Sequence, residues 1–143
     1  ACGLAISRAA RERLADTVSA EDPQAQDLLA RCDGQLDQLS AKQIGEAAVD
    51  GNDLAQDLLL EARRVLGWAI AQVITLIAPD VVVVGGGVSL IGQEYFYEPL
   101  RDEIARYVFP PLADSYEIVP AQLGELVVIH GALALARLHS APS

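Results

Sequence analysis

Pro79-Asp80-Val81-Val82-Val83-Val84-Gly85-Gly86-Gly87-Val88-Ser89 sets four β-branched residues between a Pro-Asp pair and three glycines. A short apolar run bounded in this way predicts a strand with both faces covered, as in a parallel sheet. Glycine lets the backbone take positive φ and come close to a ligand. In open α/β sheets ligands bind beyond the carboxyl ends of the strands. Free N–H groups at such a place can hold phosphate or ribose. The plainer alternative is that the glycines only allow a tight strand-to-helix turn.

On the N-terminal side of this segment the apolar period is helical. Leu54, Leu58, Ala62, Val65, Leu66, Ala69, Ile70, Val73, Ile74 and Ile77 recur at spacings of three and four, which predicts one long helix from Leu54 to Ala78. Its first half carries Asp57, Glu61, Arg63 and Arg64. Its second half, Gly67 to Ala78, carries no charge and is expected to be buried nearly all round. Asp53 is the expected cap, after the turn Asp50-Gly51-Asn52. Upstream, Ser40 with Gln43 has capping-box spacing and starts a helix over Ala41–Val49. Two more helices are expected at Ala5–Val18 and Ala25–Arg31, separated by Glu21-Asp22-Pro23 and followed by an Asp33-Gly34 turn.

On the C-terminal side, Gln93 to Phe109 reads as a helix, with a break or kink at Pro99 and a stop at Pro110-Pro111. Tyr116–Val119 alternates and is a second strand. A last helix is expected over Leu126–Leu138, with a frayed tail from His139 to Ser143. Helix, strand, glycine loop, helix and strand in this order indicate an α/β layer.

Composition narrows the function classes. The 143 residues suit one domain, and 52% hydrophobic content gives it a core. Ten Lys and Arg against 20 Asp and Glu leave a net charge of −10. This argues against a nucleic-acid surface and against adhesion to anionic membranes. No run reaches the roughly 20 apolar residues of a membrane span, and no signal peptide is visible. Cys2 and Cys32 make no metal spacing and read as reduced thiols of a cytoplasmic protein. The lack of any Met fits a piece of a longer chain.

Rival sites fail on their residues. Gly85 and Gly87 supply two glycines of a dinucleotide fingerprint, but Leu90 stands at the third. No Gly-Lys-Ser/Thr triplet exists. His130 and His139 have no metal-ligand spacing and no partner in sequence. Ser7, Ser89 and Ser115 lack an evident base, and Asp80 suits a turn better than catalysis.

Four ordered motifs resemble the C-terminal half of the ROK family of repressors and sugar kinases, with a glucokinase-like cast. They are Ala1-Cys2-Gly3-Leu4-Ala5-Ile6, the segment Ala41-Lys42-Gln43-Ile44 through Asn52, Pro79 to Ser89, and Gly131-Ala132-Leu133-Ala134-Leu135-Ala136. The resemblance implies residues 1–143 are a C-terminal lobe of the actin and hexokinase superfamily, a ribonuclease H-like fold, helix-rich with a small sheet. It implies ATP with Mg²⁺ in a cleft, a hexose phosphorylated at the 6-hydroxyl, and a cytoplasmic homodimer. Gly85, Gly86, Gly87 and Val88 would line the nucleotide site.

The phosphate loop, the catalytic aspartate and any zinc cluster would lie upstream of Ala1, so no catalytic residue falls in this chain and the 143 residues alone are expected to be inactive. Val127-Val128 stand where the family usually has Ala-Gly and could narrow the nucleotide site. A sugar-responsive transcriptional repressor of the same family is the alternative.

Overall fold

The computed structural model describes residues 3–17 and 22–140. Helix starts follow local chemistry. Asp22 accepts a hydrogen bond from the Gln24 amide at 3.0 Å, with Pro23 at the first position of α2 (Pro23–Ala30). Ser40 and Gln43 close the expected capping box at the start of α3 (Ala41–Val49). Before them lies α1 (Gly3–Thr17). The sequence expectation of helix to Val18, and the Glu21 end of the break, lie outside the described residues, as do Ala1, Cys2 and residues 141–143.

The long helix α4 (Asp53–Ile77) is capped by Asn52, not by Asp53. Asn52 Oδ1 accepts from the Ala55 amide at 3.0 Å. Its amide group donates to the Gln24 carbonyl at 2.9 Å and to Asp27 Oδ2 at 2.8 Å. These two bonds to α2 fix the Asn52 side chain at 5% exposure, so tertiary structure chooses the cap. Asn52→Ala should remove all three bonds and lower unfolding free energy by about 2 kcal/mol, read by urea denaturation. An unchanged midpoint would refute that role.

Burial pushes the Asp27 carboxyl up, but hydrogen bonds from Arg31 and Asn52, with the Arg31 charge, outweigh it and hold the group below its ordinary range. A depressed carboxyl stabilises the fold fully above the ordinary aspartate value and loses that contribution as pH falls through the lowered one. Acid titration of Asp27→Ala should lack this step below about pH 4, whereas an identical acid profile would contradict it.

The core joins the helices. Leu14, Leu28, Leu39, Ile44, Leu59, Ile74, Leu100 and Ile104 are fully buried. Ala78, in the left-handed region at φ 47°, ends α4 by donating its amide to the Ile74 carbonyl, and Pro79 prevents any continuation. β1 (Val81–Val84) follows. It pairs in parallel with β2 (Glu117–Pro120) in the register Val81 to Glu117 through Val84 to Pro120.

Three expectations change. The segment after the glycines is not one helix. It is a 3-10 turn over Gly87–Ile91, a π-helical turn over Gln93–Tyr97, then α5 (Glu98–Ala105). Gly92 at φ 99° separates the turns. Pro99 sits in the first turn of α5, where the π-helical turn passes directly into α-helix, so the break expected at Pro99 is present as this change of helix type. The second half of α4 is buried on one face only. Ile70, Ala71 and Ile74 are buried, while Trp68, Val73, Leu76 and Ile77 are exposed. β1 is likewise covered on one face: Val84 is buried, but Val81 and Val83 are 49% and 63% exposed. The apolar sequence marks surface that no described element covers. The last helix, α6 (Val127–Ser140), includes His139 and Ser140 and leaves Ile129, Leu133 and Leu135 exposed.

Candidate functional site

The three glycines stand at the carboxyl end of β1 for three different reasons. A Cβ on Gly85 would lie 2.8 Å from Ala121 Cβ, so a close approach of two segments requires glycine there. Gly86 sits at φ 117°, ψ 169°, a region that side chains avoid. Gly87 has an ordinary φ and nothing within 4 Å of its would-be Cβ. Neither packing nor backbone geometry demands glycine at Gly87.

Hydrogen bonds tie the ribbon to its surroundings. Ser89 Oγ donates to the Gly86 carbonyl at 2.7 Å, and the Ser89 amide donates to the same oxygen at 3.1 Å. The Tyr97 hydroxyl donates to the Val84 carbonyl at 2.8 Å, which also accepts from the Ala121 amide at 2.9 Å. Val88 is buried and anchors the turn into the core. Gly85 and Gly86 remain exposed and Gly87 partly so.

Two cavities meet at Gly87. The first, of about 270 Å³, is walled by Gly3 and Ile6 of α1, Ala62 and Leu66 of α4, the ribbon and Phe96. The first residue of α1 therefore borders the same space as the ribbon. The second cavity, of about 350 Å³, lies between Gly87, Leu90 and Ile91 and the charged side chains of Arg31, Lys42, Glu46 and Asp50.

Arg31 is already committed within the second cavity. Its guanidinium bonds Asp50 at 2.8 Å and Asp27 at 3.1 Å. Those hydrogen bonds, Asp50's first, hold its pKa above the ordinary arginine value. Lys42 joins no ion pair among the described residues. Sequence reasoning placed Ala41–Ile44 in a family motif but did not set Lys42 or Glu46 opposite the glycines. The capping box fixed that helix, and only the tertiary packing shows what it faces.

The other sequence candidates do not converge. Asp80 is exposed, and its carbonyl accepts from the Glu117 amide at 2.9 Å, a strand-pairing role. Ser7 is buried, and Ser115 Oγ donates to the Leu112 carbonyl at 2.9 Å. His130 is exposed on α6. Cys32 is buried and free, with Sγ donating to the Leu28 and Leu29 carbonyls. Among the described residues no three His, Cys, Asp or Glu come together as a metal site, and no helix is long and apolar enough to cross a membrane. A separate groove of about 520 Å³ beside Arg101, Tyr116 and Ile118 lies along β2 and does not include the ribbon.

Known proteins resemble this chain in sequence and fold. The chain is 34% identical over 141 residues to a glucokinase of Streptomyces coelicolor, covering 96% of this chain and 42% of that protein. The crystal structure of a ROK family glucokinase from Streptomyces griseus, in complex with glucose and AMPPNP, matches with a TM-score of 0.79 and 33% identity, over 96% of this chain and 43% of that one. That likeness gives this chain an actin and hexokinase-like fold. A xylose repressor of Caldicellulosiruptor bescii is 26% identical over 100 residues, which is 70% of this chain and 25% of that protein. The chain thus spans well under half the length of these relatives. The ROK family model matches residues 2–139, nearly everything from the first helix to the last, and the chain belongs to the ROK family.

Proposed function

We propose that this chain is the C-terminal lobe of an ATP-dependent hexose kinase of the glucokinase type, acting on the sugar 6-hydroxyl. The observation that carries the proposal is Gly87: a residue free of side chain where the fold does not require it, at the junction of two cavities. The likeness to glucokinases supplies the chemistry. The ribbon's backbone meets the adenosine side of the nucleotide, with Val88 anchoring it from the core. Phosphoryl transfer depends on positioning and on neutralising charge, so a ribbon tied down by hydrogen bonds is a useful part. Mg²⁺, when bound with the nucleotide, supplies charge neutralisation on the phosphates. The catalytic base and the sugar contacts belong to the preceding lobe, and the 143 residues alone should turn over no substrate.

A cytoplasmic location is supported by the free buried thiol of Cys32. Homodimerisation rests on the family resemblance and is tested by sedimentation of the whole protein. The repressor alternative draws on the xylose repressor likeness. It gains nothing from Val128, which is 75% exposed and borders neither cavity; the Val127 side chain lies outside those described. A coupled assay with ATP and glucose on the whole protein should show turnover. No turnover, together with sugar-dependent release from DNA, would overturn the kinase in favour of the repressor.

A further inference from the structure

Val84 ends β1, and its carbonyl accepts from the Ala121 amide at 2.9 Å, toward β2. No peptide bond is cis among the described residues, so the Gly85 N–H points the opposite way from that carbonyl. Val84 and Gly85 both border the cavity of about 270 Å³, and no residue of β2 does. The Gly85 N–H is thus turned from β2 toward the cavity side, and it meets no acceptor among the described residues. Glycine torsions restrain a peptide plane least, and Gly85 and Gly86 follow directly. The direction of this N–H therefore depends on what holds the Val84 carbonyl.

A second donor reaches the same oxygen. The Tyr97 hydroxyl lies 2.8 Å from it, on a side chain that is 2% exposed. A carbonyl oxygen has two lone pairs, and strand pairing uses one. Tyr97 is itself fixed. It ends the π-helical turn, where its amide and that of Phe96 both donate to the Gly92 carbonyl, at 3.4 and 3.2 Å. The Phe96 ring stands edge-on to the Tyr97 ring at 5.2 Å, and the Arg101 guanidinium lies 5.9 Å from the ring centre. Arg63 of α4 donates to the Tyr95 carbonyl at 2.7 Å and ties the turn to the long helix.

We infer that Tyr97 is a positioning residue for the nucleotide: its hydroxyl fixes the Val84–Gly85 peptide plane and so aims the Gly85 N–H at an acceptor on the adenosine side. The inference rests on the proposed kinase reading and deepens it. Packing does not call for the hydroxyl. Phenylalanine would fill the same space and keep the ring contacts with Phe96 and Arg101, and the Val84 carbonyl would still accept from Ala121. What the oxygen adds is a second restraint on one plane, the kind of support that keeps a binding group in its productive direction.

The test is Tyr97→Phe in the whole protein. Without nucleotide, the amide nitrogen resonance of Gly85 should move, since a hydrogen bond to a carbonyl polarises the amide that shares its plane. Calorimetry should show AMPPNP binding weakened by roughly tenfold, with glucose binding unchanged. The melting temperature should fall by no more than about 4 °C. A moved Gly85 resonance with undiminished AMPPNP affinity would mean that the hydroxyl only finds itself a buried acceptor, and would overturn the inference while leaving the proposed function intact. So would an unmoved resonance, or a loss of AMPPNP and glucose binding together with a larger fall in melting temperature. A parent protein that binds no AMPPNP would instead refute the proposed function, and this inference with it.

Discussion

Gly87→Val should weaken nucleotide binding to the whole protein by roughly a hundredfold, about 3 kcal/mol, while its melting temperature stays the same. The would-be Cβ of Gly87 meets no atom within 4 Å and φ is ordinary, so a side chain fits the folded chain. It would project into the space between the two cavities that Gly87 borders. The neighbouring glycines do not allow this separation. Gly86→Val strains a backbone at φ 117°, and Gly85→Val drives a side chain into Ala121. Both should unfold the ribbon and lose binding for a trivial reason. Calorimetric titration with AMPPNP on the Gly87 variant reads the effect. Undiminished affinity would show that the ribbon's glycines serve only the turn.

Gly67→Val should destabilise the chain by about 3 kcal/mol, read as a large drop in urea midpoint. Glycine in mid-helix costs about 1 kcal/mol relative to alanine, so α4 gives up helix propensity at this position. The reason is α5. A Cβ at Gly67 would lie 2.7 Å from Glu103 Cβ, 3.1 Å from the Glu103 carbonyl carbon and 3.2 Å from the Ile104 amide nitrogen. The last two are backbone atoms and cannot rotate away, so the helices must separate. Leu100 and Ile104, fully buried on α5, would lose contact as they do. A variant as stable as the parent would mean that the two helices do not approach this closely.

The helices were legible because their signals are local. The capping box at Ser40 and Gln43 and the three-and-four spacing of α4 require no knowledge of the rest of the molecule. The strand run and the glycines were legible for the same reason. The cap of α4 was not, since the choice of Asn52 over Asp53 is made by bonds to Gln24 and Asp27, more than twenty residues away. Burial is not legible where it depends on which element packs alongside: Val81, Val83, Val73 and Leu76 are apolar yet exposed. A sequence of valines says that a surface is apolar, not which element covers it. The candidate site is half legible: the ribbon shows in sequence, but the cavity that Lys42 and Glu46 share with Gly87 appears only once α3 is packed beside the turn that follows the ribbon.

The most direct measurement of the ribbon's role is the amide spectrum of Gly85, Gly86 and Gly87 in the whole protein as AMPPNP is added. These three resonances should shift, while Arg101, Tyr116 and Ile118 along β2 stay in place. Saturable binding that moves the β2 groove and leaves the glycines still would contradict the account.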